Sequence, residues 1–375
     1  MNAAVLMLCL TGPATVGQDT VFKEGKIEVK TESRFGKTYS YVLYNRIYMG
    51  RQYHKSTTEP DLPLLPTTYF HDKGPIGIIL KDAKWFPEKG APPVAVLGMD
   101  VGTLAAYAKP GQTFHFTERV PTFVRLSNPE KGEAPLFTFV KDAKDRGADV
   151  KIFEGEPRET IEKHGKDKFY KVIVVESYKM PVIEVHKELM TKEALQMLMS
   201  KCREDGIVAF HTSNRYYQLT PIIASAANEL KLACVVGHDG HSREPNDDFR
   251  YSSEWIMVAR DAKHLAHLKK DAGNDIDWHA PRYEITIAGK HIKEDVGKKF
   301  LWTDKGEQSL RGLYMSDPSV EKFNDVLYDL ENIVNKSGFQ TFRYTQSLHN
   351  AVHSWARASA DRLNQGSDKK MPEKK

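Results

Sequence analysis

The sequence predicts an α/β fold behind a small N-terminal β domain. From about residue 94 to residue 259, short apolar runs typical of buried strands alternate with segments of helical periodicity. Residues from about 20 to 60 instead alternate polar and apolar side chains around turn residues, which is the pattern of hairpins. Because strands that alternate with helices pack best as a parallel sheet, we expect a sheet covered on both faces.

The individual elements follow from local composition. In the N-terminal part, Val21–Glu32 predicts one strand, residues 34–37 predict a hairpin turn, and Tyr39–Tyr44 predicts a second strand. The strands of the main sheet are predicted at Val94–Gly98, Thr113–Thr117, Val150–Phe153, Lys171–Glu176, Ile207–Thr212, Lys231–Gly237 and Trp255–Ala259. Helices are predicted at Ile76–Ala83, Thr103–Ala108, Thr191–Lys201, Leu219–Lys231, Val320–Val334 and Thr345–Asn364, and a short hairpin within Pro281–Val296. Thr191 is the predicted N-cap of its helix, and Gly206 is predicted to follow that helix.

These elements divide the chain into five predicted segments. They are an apolar N-terminal segment (1–19), a β-hairpin domain (20–74), an α/β domain (75–310), a C-terminal helical extension (311–366) and a disordered basic tail (367–375). The apolar run Ala3–Thr11 is far shorter than the roughly 20 residues that cross a bilayer, and it lacks the positive start of a signal peptide. Three interpretations stay open for it: an element packed on the protein, a weak signal peptide, or the stub of a lost membrane segment.

Composition excludes several function classes. The 54 basic and 50 acidic residues give a net charge of +4, which is too small and dispersed to predict nucleic acid as a partner. The three cysteines have no CxxC spacing, so neither a metal site nor a redox motif is predicted. An odd number of unpatterned cysteines fits a reducing compartment, and we therefore expect a cytoplasmic location. Association with a membrane is left open by the N-terminal segment.

Candidate ligand-binding residues follow three successive strands. Gly98 and Gly102 flank a tight turn after the first strand, where a glycine lets the backbone approach a ligand and a helix N-terminus offers free N–H groups. Glu118 ends the second strand, where an acid can hold ribose hydroxyls, and Glu156 follows the third. Each feature alone has an ordinary explanation, such as a tight turn or a solvated glutamate. Together, at the carboxyl ends of neighbouring strands, they favour a nucleotide site.

Five stretches resemble one family in order and spacing. VLGMDVGTLAAY (residues 96–107) is similar to the nucleotide loop of the spermidine synthase (polyamine aminopropyltransferase) family, especially its bacterial spermidine-synthase-like branch. The other four are TTYFHDKGPIG (Thr67–Gly77), EALQMLMSKCREDGIVAFHTSNRY (Glu193–Tyr216), SSEWIMVARD (Ser252–Asp261) and LWTD (Leu301–Asp304). The resemblance covers about residues 20–310. It implies a divergent member with a Rossmann-like S-adenosylmethionine-dependent methyltransferase-type fold, to which the sequence adds C-terminal helices.

The resemblance also implies a co-substrate and the residues that bind it. Decarboxylated S-adenosylmethionine, or S-adenosylmethionine itself, would bind transiently, with no permanently bound cofactor. Asp100 falls on an aspartate of the family loop, where a carboxylate could hold the aminopropyl ammonium group. Gly98 and Gly102 would flank the methionine-like part, Glu118 would bind the ribose, and Glu156 would lie near the adenine amino group. Gln52 and Tyr69 resemble amine-site residues, although packing between the β domain and the sheet explains them equally well.

The loop after the fourth strand departs from the family. Where the family has an acid that deprotonates the attacking amine, this chain has Met180 or Pro181, depending on the placement of a gap. The catalytic residue is therefore unassigned, with Glu176 and Glu184 as nearby candidates. Lys179 and Lys187 add positive charges in this loop, which would repel a cationic polyamine. A further departure is Val101, which replaces a loop glycine.

Three functions remain open at the level of sequence. The first is transfer of an aminopropyl group from decarboxylated S-adenosylmethionine to an amine or polyamine, as in polyamine biosynthesis, with activity impaired if the catalytic acid is missing. The second is a non-catalytic nucleotide-binding or scaffold homologue, and the third is an S-adenosylmethionine-dependent methyltransferase. Family members often pair, so the resemblance implies a homodimer. We expect His211 to be structural and His186 to be solvated, since neither belongs to a catalytic or metal-ligand spacing.

Overall fold

The computed structural model describes residues 16–34, 36–44, 47–176, 178–179, 184–213, 218–240, 249–268, 275–281, 283–287, 290–294 and 300–306. The chain separates into two compact units, and the larger one contains both the N-terminal sheet and the main α/β sheet. The described part of the smaller unit includes a hairpin of β15 (Tyr283–Ile287) and β16 (Lys290–Glu294), which confirms the hairpin predicted there. The two predicted C-terminal helices, the basic tail and residues 1–15 lie outside the described residues.

The N-terminal part is an antiparallel sheet of four strands in chain order. They are β1 (Val16–Glu24), β2 (Ile27–Arg34), β3 (Lys37–Tyr44) and β4 (Ile47–Tyr53). The single strand predicted over Val21–Glu32 is wrong, because the chain turns at Gly25, whose φ of +56° ends β1. Val29 and Val42 are fully buried against the core of the α/β domain, so one face of this sheet packs on that domain.

The main sheet has eight strands in the order β14-β12-β13-β11-β8-β5-β6-β7. Its strands are β5 (Val94–Leu97), β6 (Thr113–Glu118), β7 (Asp149–Glu154), β8 (Tyr170–Glu176), β11 (Cys202–His211), β12 (Ala233–Asp239), β13 (Ser253–Ala259) and β14 (Ile276–His279). Between β8 and β11, β9 (Tyr178–Lys179) and β10 (Glu184–Val185) form a small separate hairpin. All seven predicted strands of this sheet are present.

The sheet is mixed rather than wholly parallel. Strands β11, β8, β5, β6 and β7 run parallel, whereas the pairs β11–β13, β13–β12 and β12–β14 are antiparallel. No described residue between β12 and β13 is helical, and a return without a crossover helix gives an antiparallel pair. Numbered along the chain, the first seven strands lie in the order 3-2-1-4-5-7-6. The fold is therefore the Rossmann-like S-adenosylmethionine-dependent methyltransferase type, with a small N-terminal β domain.

Six α-helices lie among the described residues. They are α1 (Pro75–Lys81), α2 (Pro121–Ser127), α3 (Phe139–Asp145), α4 (Pro157–His164), α5 (Lys192–Lys201) and α6 (Thr220–Glu229). Thr191 caps α5 as predicted, since its hydroxyl accepts the N–H of Ala194 at 3.1 Å. None of these helices combines the length and the apolar character needed to cross a bilayer.

Two local predictions were wrong. The helix predicted at Thr103–Ala108 is a single 3-10 turn over Thr103–Tyr107, because Pro110 and Gly111 leave no room to extend it before β6. Gly206 does not follow α5 as a cap, because β11 starts directly at Cys202. It lies instead where the pairing of β11 with β8 is irregular, and a Cβ there would come within 2.8 Å of the Tyr170 carbonyl oxygen.

Candidate functional site

Three acidic residues meet at the carboxyl ends of three neighbouring parallel strands. Asp100 lies in the loop after β5, Glu118 is the last residue of β6, and Glu176 is the last residue of β8. The carboxyl ends of parallel strands share one edge of the sheet, which is where open α/β sheets bind ligands. The negative charges of Glu176 and Glu118 both act on Asp100. We call Asp100, Glu118 and Glu176 the acidic cluster.

Glu118 holds the loop after β5 in place. One carboxylate oxygen accepts the backbone N–H groups of Met99 at 3.0 Å and Asp100 at 3.1 Å, and the other accepts the N–H of Val120 at 2.8 Å. Burial raises the pKa of Glu118, and these three hydrogen bonds oppose the shift. A carboxylate has about four lone-pair positions, so one remains for a ligand hydroxyl group. Glu118, which the sequence predicted to bind ribose, therefore stabilises the loop after β5 by accepting these hydrogen bonds.

Asp100 carries the strongest electrostatic signal in the site. It is a non-glycine residue with a φ of +51°, a conformation that aspartate tolerates better than most residues. Burial raises its pKa well above the usual range, and the charges of Glu176 and Glu118 add to that effect. No described residue donates a hydrogen bond to its side-chain carboxylate. A half-buried carboxyl group in this setting is suited to a cationic ligand, which would stabilise its charged form.

The loop glycines make room for protein side chains. Gly98 has a φ of +99°, and a Cβ at this position would lie 2.9 Å from the Cβ of Glu176. Gly102 has a φ of +77°, and its Cβ would lie 2.8 Å from a methyl group of Val140. Val101, the residue that replaces a family glycine, is fully buried and packs against Gly50 of β4. The absence of a side chain at these glycines therefore lets protein side chains pack against the loop, whereas the sequence predicted that it would let a ligand approach.

Glu176, His211 and Ser213 form a hydrogen-bonded chain beside the acidic cluster. Nδ1 of His211 lies 2.9 Å from both carboxylate oxygens of Glu176, and Nε2 lies 2.9 Å from the hydroxyl oxygen of Ser213. That hydroxyl accepts the backbone N–H of Glu254 at 2.7 Å and donates to the Glu254 carbonyl oxygen at 3.4 Å. Because a carboxylate accepts hydrogen bonds and does not donate them, Nδ1 of His211 carries a proton and donates it to Glu176.

Aromatic rings enclose the imidazole of His211. The fully buried ring stacks on Trp255 with centroids 4.6 Å apart and an interplanar angle of 17°, and Tyr69 lies 4.9 Å away. The sequence alone does not pair His211 with Glu176, because thirty-five residues separate them along the chain. Both residues end adjacent parallel strands, β8 and β11, and are paired in register. The position of both residues at the ends of predicted strands is the sequence feature that could have indicated a contact between Glu176 and His211.

The other residues predicted for the site lie in different surroundings. Gln52 is buried between β4 and α3, where its amide donates to the Pro63 carbonyl and the Thr138 hydroxyl and accepts the N–H of Thr138. Its hydrogen bonds match the packing interpretation given above. Glu184 belongs to the short strand β10, opposite Lys179 of β9. Met180 and Pro181 lie outside the described residues.

Glu156 lies with His186 and Glu188 instead of the acidic cluster. One ligand atom from each of these three residues falls within 4.8 Å of the others. His186 is 4% exposed, so the prediction that it is solvated was wrong. Its backbone precedes the short helix Lys187–Leu189, and Nδ1 contacts the Glu188 carboxylate at 2.7 Å. Exposed acids often gather without an ion, and this proximity alone does not establish a metal centre.

Comparison with known proteins gave matches to solved structures alone. No family model and no curated protein matches the chain. A probable spermidine synthase from Corynebacterium glutamicum is 12% identical with a TM-score of 0.42, covering 71% of this chain and 89% of that one. A spermidine synthase in complex with the transition state analogue AdoDATO is 10% identical with a TM-score of 0.39, covering 68% and 75%. The Thermotoga maritima spermidine synthase is 11% identical with a TM-score of 0.37, covering 68% and 79%. The chain is thus similar to spermidine synthases, at the level of the fold.

Proposed function

We propose that this protein binds decarboxylated S-adenosylmethionine and transfers its aminopropyl group to an amine. The observation that carries the proposal is the acidic cluster, in which Asp100, Glu118 and Glu176 meet at one edge of the sheet and no described residue donates to the Asp100 carboxylate. Such a cluster favours a ligand with positive charge. Decarboxylated S-adenosylmethionine carries two, an ammonium group and a sulfonium group.

The same charges discriminate between the two forms of the co-substrate. S-adenosylmethionine carries an additional carboxylate, which would approach three acids and be repelled. Loss of that carboxylate removes the repulsion and leaves the ammonium group free to bind Asp100. The cluster therefore favours aminopropyl transfer over methyl transfer, although the same fold serves both reactions.

The reaction itself requires one bond to form and one to break. The lone pair of the acceptor nitrogen attacks the methylene carbon bonded to the sulfonium sulfur, forming a C–N bond. The C–S bond breaks, its electron pair stays on sulfur, and neutral methylthioadenosine leaves. Because a free primary amine has a pKa near roughly 10, it is mostly an ammonium near pH 7 and must lose one proton to a base before attack. The product is a secondary ammonium, so one proton is released in each turnover.

Glu176 is the residue that we assign to proton acceptance. Its carboxylate lies beside Asp100, and His211 holds both of its oxygens at 2.9 Å. The His211 N–H fixes the direction of this carboxylate, and a carboxylate is a group that can accept a proton from an amine. Tyr69 packs on the His211 ring and so stands next to the place where the acceptor amine would enter.

Release of methylthioadenosine tests the proposal. The full chain is incubated with decarboxylated S-adenosylmethionine and a panel of amines, and methylthioadenosine is measured. We expect release with at least one amine, and a loss of roughly 10²–10⁴-fold in Glu176→Gln, the usual size of general-base assistance. Glu154→Gln is the matched control, because Glu154 is an exposed acid at the end of β7. Co-substrate binding without release would indicate a nucleotide-binding homologue, and absence of both would overturn the proposal.

A further inference from the structure

Arg51 of β4 is a buried cation enclosed by aromatic rings. The residue is 6% exposed, and its guanidinium carbon lies 3.8 Å from the ring centroid of Phe249 and 4.8 Å from that of Tyr39. Tyr48 and Tyr251 stand farther out, at 5.4 Å and 5.9 Å. We call these four rings and the guanidinium the arginine box. Cation–π contacts of this kind favour a desolvated guanidinium, but they do not neutralise its charge.

The guanidinium has no acidic partner among the described residues. No ion pair or side-chain hydrogen bond joins it to any of them, and its Nε atom is inaccessible to solvent and unpaired. A described acid that acts on the arginine box is Glu32. It interacts with Tyr39 and Tyr48 and does not form an ion pair with Arg51. A buried cation without an ion-pair partner is costly to keep, so Arg51, which has none among the residues that the structure describes, is suited to binding an anion.

A small recess borders the arginine box and shares Tyr69 with the surroundings of His211. It is lined by Tyr48, Met49, Gly50, Arg51, Thr68, Tyr69 and Tyr251, and it measures about 10 Å³. That volume admits one atom the size of a water oxygen. Tyr69 belongs to both places, because its ring also packs on His211 at 4.9 Å. A ligand whose amine lies near Glu176 could thus place an oxygen atom beside Arg51.

We propose that Arg51 binds a carboxylate of the acceptor, which makes the acceptor an amino acid and not a polyamine. This inference rests on the proposed function, since it specifies the substrate class of the same site. A carboxylate oxygen matches both the charge of the guanidinium and the size of the recess. The distal ammonium group of a polyamine would instead meet the like charge of the guanidinium in a desolvated setting, which is unfavourable.

Three ligands of equal chain length separate the two substrate classes. 4-Aminobutanoate has an amine and a carboxylate, butylamine has the amine alone, and 1,4-diaminobutane has a second ammonium group. We expect the full chain, saturated with methylthioadenosine, to bind 4-aminobutanoate at least tenfold more tightly than the other two in calorimetry. Arg51→Met should abolish this preference for 4-aminobutanoate. Arg51→Lys, which keeps the charge, should show an intermediate preference. Arg125→Met, which removes a half-exposed arginine, should leave it unchanged.

Thermal unfolding of the free protein supplies the second readout. If Arg51 is kept for a ligand and not for stability, Arg51→Met should unfold at a temperature no lower than the wild type. Tighter binding of the diamine, or a carboxylate preference that survives Arg51→Met, would overturn the inference. Binding of methylthioadenosine is followed in the same samples. Its failure would count against the proposed function, whereas its presence without a carboxylate preference would count against the inference alone.

Discussion

Nδ1 of His211 lies 2.9 Å from each of the two carboxylate oxygens of Glu176, although the residues belong to different strands. The contact fixes the direction of the Glu176 carboxylate at the edge of the sheet where Asp100 also lies. On the other side of the ring, Nε2 of His211 contacts the Ser213 hydroxyl at 2.9 Å. His211 is therefore a positioning residue for the proton acceptor proposed here.

Removal of His211 should lower the rate of transfer without weakening co-substrate binding. In His211→Leu, the carboxylate of Glu176 loses the ring N–H that orients it. We expect kcat/KM near pH 7 to fall by roughly 10–10²-fold, part of the full general-base contribution. Calorimetry with decarboxylated S-adenosylmethionine should give the same affinity as for the wild type. His211→Gln, which keeps an N–H donor, should recover part of the rate, and an unchanged rate in His211→Leu would mean that His211 is only structural.

Asp100 should make the free protein less stable as the pH rises. Its folded-state pKa is raised, so the folded protein binds more protons than the unfolded chain between the two pKa values. Its contribution to stability is therefore complete below the unfolded pKa and is lost as the pH rises through the folded pKa. We expect Asp100→Asn to raise the urea midpoint at pH 7 and to leave it unchanged near pH 3.5, about the unfolded pKa of aspartate. Asp145→Asn, at an exposed position, serves as control, and an equal effect at both pH values would contradict the prediction.

Asp304 should show the opposite dependence on pH. Hydrogen bonds from Arg158, at 2.7 and 2.6 Å, hold its pKa below the usual range, and Thr191 donates at 2.6 Å. Stability from this contact is present above the unfolded pKa and is lost as the pH falls through the folded pKa. Because the pair is partly solvent-exposed, we expect Asp304→Asn to cost only about 1 kcal/mol at neutral pH. Urea unfolding at pH 7 and pH 3 measures the cost of Asp304→Asn in the free energy of unfolding at each pH. A cost that persists at pH 3 would contradict the expected loss of this contact at low pH.

The buried ion pair between Arg250 and Asp239 should be worth far more. Arg250 is bidentate at 2.8 and 2.9 Å, and the two side chains are 4% and 0% exposed. Arg250→Met removes the bidentate cationic partner of a buried carboxylate, so we expect a loss of about 3–5 kcal/mol in the free energy of unfolding. Arg125→Met, at the half-exposed pair with Glu24, should cost less than about 1 kcal/mol. Equal losses in the two variants would contradict this ranking.

Much of the fold was predictable because burial leaves a pattern in the sequence. Runs such as residues 171–176 are apolar throughout, as strands covered on both faces must be, and β8 is buried along its whole length. The direction of β13 was not predictable, because an apolar run has the same composition in a parallel and an antiparallel strand. The helix predicted at Thr103–Ala108 is only a 3-10 turn over Thr103–Tyr107, because Pro110 follows closely and cannot continue a helix.

The candidate site was predictable only where residues shared a position relative to their strands. Asp100 and Glu118 were expected together because both follow neighbouring strands, and the backbone N–H of Asp100 indeed donates to Glu118. Glu176 and His211 were each considered, but their contact depends on the register of β8 against β11, which side-chain patterns do not fix. That no described acid forms an ion pair with Arg51 depends on the folded surroundings of this residue, and a sequence does not show that.

Calorimetric binding of the two forms of the co-substrate tests the acidic cluster most directly. If Asp100 with Glu118 and Glu176 forms a cation site, decarboxylated S-adenosylmethionine should bind at least about tenfold more tightly than S-adenosylmethionine, equivalent to about 1.4 kcal/mol. Asp100→Asn should remove most of that preference, while Glu154→Gln should leave it intact. Equal or tighter binding of S-adenosylmethionine to the wild-type chain would contradict the assignment of this cluster.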